Sequence, residues 1–174
     1  MAKKGEYCYP YPRPMVTVDV ALFGLKDQRF SLLLIRRGNP PFAGHWALPG
    51  GFVEMGEPLG VSARRELQEE TGWAVQRLDQ FRTFGAPDRD PRGRAISVAF
   101  TGVVHRDSGT LRAGDDAAHA EWVRLHEVRM LAFDHEEIVQ YAVSTVCDAV
   151  TRPERWSRIS NGVSPDEAMA ALNQ

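Results

Sequence analysis

One stretch constrains the fold more than any other. From Glu57 to Thr71 only Pro58 and Gly60 interrupt a helix-forming run, and Gly72 follows as a natural C-terminal stop. Upstream, Gly44–Gly56 is glycine-rich and reads as a loop with a short strand around Trp46–Leu48. This loop–helix unit is enclosed by runs rich in β-branched and apolar residues. Val16–Phe23, Phe30–Ile35, Val75–Phe84, Ala95–His105 and Ala120–Leu125 read as strands, with a hairpin turn at Gly24–Gln28. A second amphipathic helix is predicted from about Asp134 to Thr151, where Ile138, Val139, Ala142, Val143, Val146 and Val150 recur at helical spacing. Ser164 to Glu167 is a capping signal before a short helix over Ala168–Leu172. Strands interleaved with two substantial helices predict an α+β or mixed α/β sandwich.

With 174 residues the chain fits one domain, residues 1–174. Residues 1–14, with prolines at positions 10, 12 and 14, form an expected extended N-terminal arm, and 152–174 a C-terminal tail not assigned to any core element. Acids exceed bases by two, which argues against non-specific nucleic-acid binding. Apolar stretches are only a few residues long and no secretory signal is visible, so a cytoplasmic, membrane-free protein is expected. Cys8 and Cys147 are the only cysteines, and neither sits in a metal-type or redox pair.

The chemistry concentrates between Gly51 and Trp73. On a helix, Glu66, Glu69 and Glu70 share one arc of roughly 100°. Unpaired carboxylates so placed repel one another and invite a hard divalent cation such as Mg²⁺ or Mn²⁺. Arg65, four residues before Glu69, can orient one carboxylate. Three glutamates on a helix face are, by themselves, more often a solvated surface. The full spacing is more specific: Gly51, Glu57, Arg65-Glu66-Leu67, Glu69-Glu70 and Gly72-Trp73.

That segment matches the Nudix box at every specified position, with Trp73 bulkier than the usual final aliphatic residue. The chain resembles Nudix hydrolases from about Tyr11 to Val150. The resemblance implies an α/β/α sandwich on a mixed sheet, with the box helix and a C-terminal helix, and hydrolysis of a nucleoside diphosphate linked to another moiety. It implies Glu66, Glu69 and Glu70 as metal ligands, joined by the Gly50 carbonyl, with Arg65, Glu66 and Glu69 in catalysis and Glu57 in support.

Asp88–Arg94 followed by Ala95–Phe100, Tyr11–Pro14 with Val16–Asp19, Arg36-Arg37-Gly38 and Leu131–His135 resemble the ADP-ribose pyrophosphatase branch. The implied reaction is ADP-ribose to AMP and ribose 5-phosphate. Arg36, Arg37, Arg92 and Arg94 are candidate grips for diphosphate or ribose. Phe42 and Trp46 are candidates to sandwich adenine, or are plain core residues. His135, Asp115 and Asp116 are further candidates for a role at the site, while the other histidines are expected at the surface or at strand ends. Alternatives are a hydrolase of nucleotide sugars or oxidised triphosphates, and an ADP-ribose-sensing transcriptional regulator. The regulator is disfavoured because only 24 residues follow Val150 (174 − 150), too few for a winged helix. A homodimer is expected from the resemblance, with the N-terminal arm reaching a partner.

Overall fold

A computed structural model describes residues 10–112 and 117–173. Cys8, Asp115 and Asp116 lie outside the described residues. Eight strands form one mixed sheet: β1 (Met15–Lys26), β2 (Arg29–Arg37), β3 (Trp46–Ala47), β4 (Gly50–Phe52), β5 (Asp79–Phe84), β6 (Ala95–His105), β7 (Ala117–Arg124) and β8 (Ser160–Asn161). Four helices accompany them: α1 (Leu59–Thr71), α2 (His135–Val150), α3 (Pro153–Ile159) and α4 (Pro165–Leu172). The central order is β3-β2-β1-β6-β5, with β1 and β6 parallel and β1 antiparallel to both β2 and β4.

The two-residue alternation of β1 divides the core. Val18, Val20 and Leu22 pack with Ala63 and Leu67 of α1, whereas Ala21, Phe23 and Leu25 pack with Ile138, Ala142 and Val146 of α2. Helices on both sheet faces make the expected α/β/α sandwich. Trp73 accounts for its own bulk: it is buried on the α1 side and meets Trp122 edge-to-face at 5.2 Å.

Several boundaries differ from expectation. β1 runs on to Lys26 because the turn needs only Asp27 and Gln28, both at positive φ (50° and 55°). β5 begins at Asp79, not Val75. Upstream of it, the Gln76 and Arg77 amides donate to the Asn161 side chain instead of to a strand neighbour. β4 falls within the stretch read as loop.

The structure assigns the tail that the sequence left open. It is part of the core: Trp156 is buried, its Nε1 donates to the Val163 carbonyl at 2.9 Å, and β8 pairs in parallel with β6. The predicted capping box is present at Ser164 and Glu167. Among the described residues no helix is long and apolar enough to cross a membrane.

Candidate active site

The box helix ends as its sequence dictates, with Gly72 at φ 73° donating its N–H to the Gln68 carbonyl. Its acidic face closes one side of a cleft of about 500 Å³. Two glycines let that face reach the sheet. A Cβ at Gly50 would strike the Val18 carbonyl, and one at Gly51 would lie 2.5 Å from the Glu66 carboxyl.

Arg65 organises the acids. Its Nε and Nη2 bind the two oxygens of Glu57 at 2.9 and 3.0 Å, while Nη1 donates to Glu66 Oε1 at 2.7 Å and to Glu69 Oε2 at 3.0 Å. Arg65 is therefore a positioning group for three carboxylates, and its bonds hold Glu57 below the usual carboxylate pKa. Glu66 shifts the other way, because burial outweighs Arg65. Glu70 accepts the Gly50 N–H at 2.9 Å, yet burial, with Glu66 and Asp19 nearby, pushes its pKa up to about 8. Glu69 is the most open of the three, its side chain 60% exposed.

The opposite wall was only partly foreseen. Arg37 and Arg92 line the cleft; Arg36, Phe42, Trp46 and Arg94 are not among the described lining residues. Arg36 and Trp46 stand opposite each other in the β2–β3 pair, with the guanidinium over the indole at 5.7 Å. They share the face away from Arg37, its neighbour on the pleated strand. Trp46 is half-buried and packs against the α2-side core. Arg94 is exposed and donates to the carbonyls of Gly85, Ala86 and Ala95, a strut for its own loop. Arg92 is anchored on Asp90 at 2.7 Å. Arg37 donates Nε to the Pro41 carbonyl at 2.8 Å and has no carboxylate partner among the described residues.

At the cleft floor lies a buried polar cluster in which sequence reasoning named His135 and missed Asp19, Arg89 and Asp134. Asp19 accepts from Ser97 Oγ and sits 3.6 Å from Arg89 Nη2 and 3.5 Å from His135 Nε2. Arg89 binds both oxygens of Asp134, at 2.6 and 2.8 Å. His135 Nδ1 accepts the Leu48 N–H at 2.9 Å, and burial holds its pKa below the ordinary histidine value. The neutral ring therefore carries its proton on Nε2. One signal for Asp19 stood in the sequence: a lone carboxylate inside an apolar run that a sheet buries.

The family model for the NUDIX domain matches residues 13–142. Loop, helix and acid cluster thus place the chain in the Nudix family, as a Nudix pyrophosphohydrolase. It is 44% identical over 130 residues to the ADP-ribose pyrophosphatase of Methanocaldococcus jannaschii, covering 75% of this chain and 73% of that protein. It is 38% identical over 136 residues to the ADPR responsive transcriptional repressor NtrR of Acinetobacter baylyi, spanning 76% of this chain but about half, 54%, of that relative. Among solved structures, the NUDIX domain of Shewanella oneidensis NrtR, complexed with ADP ribose, aligns with a TM-score of 0.73 at 32% identity, covering 80% of this chain and 93% of that one. Hydrolases of this family generally use divalent metals.

Proposed function

We propose that the enzyme hydrolyses ADP-ribose to AMP and ribose 5-phosphate, using Mg²⁺ or Mn²⁺. The observation that carries this reading is the pairing of walls in one cleft: crowded carboxylates of α1 face Arg37, a guanidinium with no carboxylate partner among the described residues.

The donor set fits a hard cation. Glu70, which has no ion pair among the described residues, is held above the ordinary carboxylate pKa by burial, as expected where compensating positive charge is lacking. No three acids among the described residues stand close enough to cage an ion by themselves, so phosphate and water oxygens would complete its shell. Glu66, Glu69, Glu70 and the Gly50 carbonyl would hold it. Bound there, a divalent ion offsets the phosphate charge and acidifies water.

The chain's own groups do the rest. Arg37 and Arg92 orient the diphosphate. Water adds to one phosphorus as the bridging P–O bond breaks, and Glu66 Oε2, the oxygen to which Arg65 does not donate, takes the proton. His135 does not serve as base, since Nδ1 is occupied by the Leu48 N–H and Nε2 is already protonated. Among the described residues, six acids line the cleft (Asp19, Glu54, Glu66, Glu69, Glu70, Asp90) against four arginines (Arg37, Arg65, Arg89, Arg92). A nucleoside triphosphate, with roughly two more negative charges than a diphosphate diester, suits such a cleft less well.

The test is a substrate panel with Mg²⁺ and Mn²⁺, scoring AMP release from ADP-ribose against nucleotide sugars and nucleoside triphosphates. The expected kcat/KM for ADP-ribose exceeds the others by at least about tenfold. Equal or faster turnover of a triphosphate would overturn the substrate assignment. The same purified protein, in light scattering, tests the proposed homodimer; a monomer at micromolar concentration would remove it.

A further inference from the structure

Both arginines proposed to grip substrate lie over one shared aromatic ring, Phe133, and Arg92 lies as near to Phe52. Arg37, from β2, places its guanidinium 4.9 Å from the Phe133 centroid, and Arg92, from the β5–β6 loop, places its own at 5.4 Å. Two guanidiniums held this near repel. After burial, Arg92 is the next cause that lowers the Arg37 pKa. The Pro41 carbonyl holds Arg37 and the Asp90 carboxylate holds Arg92, and the negative face of the ring they share attracts both.

Phe133 itself occupies backbone that favours glycine, with φ 55°. The surrounding chain enforces that position. The Ala132 N–H donates to the Trp46 carbonyl at 2.8 Å, and the His135 N–H donates to the Ala132 carbonyl at 3.1 Å. The ring edge packs on Phe42 at 4.8 Å. A phenyl group held in a left-handed conformation beside a cleft is the kind of local strain that persists where surroundings over-determine it.

We propose that Phe133 is a positioning residue: its ring holds Arg37 and Arg92 as a two-pronged clamp for the substrate's diphosphate. This rests on the reading of the cleft as a diphosphate-hydrolysing site. The ring touches no reacting atom and acts through the two guanidiniums, so its loss weakens ground-state grip more than chemistry.

The experiment compares the wild type with Phe133→Leu, Phe133→Tyr and Phe133→Gly in steady-state hydrolysis of ADP-ribose with Mg²⁺. Losing the ring face is expected to raise KM about tenfold in the leucine variant, with kcat within about threefold of wild type. Tyrosine keeps the ring and is expected to return KM to within about twofold. If leucine prevents folding, Phe133→Gly suits the left-handed backbone and carries the same test. A leucine or glycine variant with wild-type KM, a loss confined to kcat, or a tyrosine variant as impaired as leucine would overturn the clamp. A wild type that ignores ADP-ribose but cleaves a nucleotide sugar overturns the substrate assignment alone, and the same series on that nucleotide then judges Phe133. A wild type inactive on every diphosphate overturns both.

Discussion

Glu70→Gln preserves side-chain size and an acceptor oxygen for the Gly50 N–H, and removes only the charge. In the metal-free protein that charge opposes folding. Folding moves the carboxyl pKa from 4.5 to about 8, and at roughly 1.4 kcal/mol per unit the ceiling is roughly 5 kcal/mol. A carboxyl that binds its proton more tightly folded than unfolded removes stability as pH rises. The cost is absent below 4.5, grows up to 8 and is complete above it. Relaxation and water entry reduce such penalties, leaving on the order of 2–3 kcal/mol. For a domain of this size that is a Tm difference of roughly 5–10 °C. Thermal unfolding followed by circular dichroism in EDTA, at pH 5 and pH 9, measures it directly. The variant is expected to match the wild type at pH 5 and to melt higher at pH 9, while losing turnover with Mg²⁺ by orders of magnitude. Equal Tm differences at both pH values, or a variant that melts lower at pH 9, would refute the argument that Glu70 is a buried, under-compensated charge.

Arg37→Ala is expected to raise KM for ADP-ribose by about tenfold or more while kcat moves less, read from full saturation curves. Arg94→Ala, which loses only bonds to its own loop's carbonyls, should leave KM within about twofold. His135→Gln keeps an acceptor near the Leu48 N–H and should reduce kcat by less than about tenfold; a loss of about a hundredfold would move the base to α2. Arg89→Ala strips Asp134 of its bidentate partner and Asp19 of its nearby cation, and urea denaturation should show a loss of about 3–5 kcal/mol.

Local patterns carried the box helix, its Gly72 stop, α2 and most strands, because a 3.6- or two-residue period and a terminating glycine are written in adjacent residues. The acid cluster was legible for the same reason: Glu66, Glu69 and Glu70 lie on one turn of one helix. The cationic wall was not. Which of Arg36 and Arg37 enters the cleft depends on the pleat of β2, and Arg92 and Arg94 both bind within their own loop though only Arg92 lines the cleft. Arg89, Asp134 and Asp19 meet from three distant segments, so no window of sequence contains their contact. The tail stayed unassigned for an energetic reason. Residues 153–163 have little periodicity of their own, and Trp156 gains its burial in a cluster shared with α2, the sheet and α4.

The parallel pairing of β1 with β6 joins residues 80 positions apart, from Met15 opposite Ala95 to Leu25 opposite His105. During synthesis β2 and β4 can cover one edge of β1 early. The other edge, flanked by Val18, Val20 and Leu22, stays open until β6 emerges, roughly 4–16 s later at ordinary translation rates. Because α1 lies inside the loop that this pairing closes, the carboxylate cluster cannot assemble against Gly50 and Asp19 on a finished sheet before that moment. The nascent chain's exposure to strand-edge aggregation and the birth of its chemistry are therefore set by one slow, long-range closure.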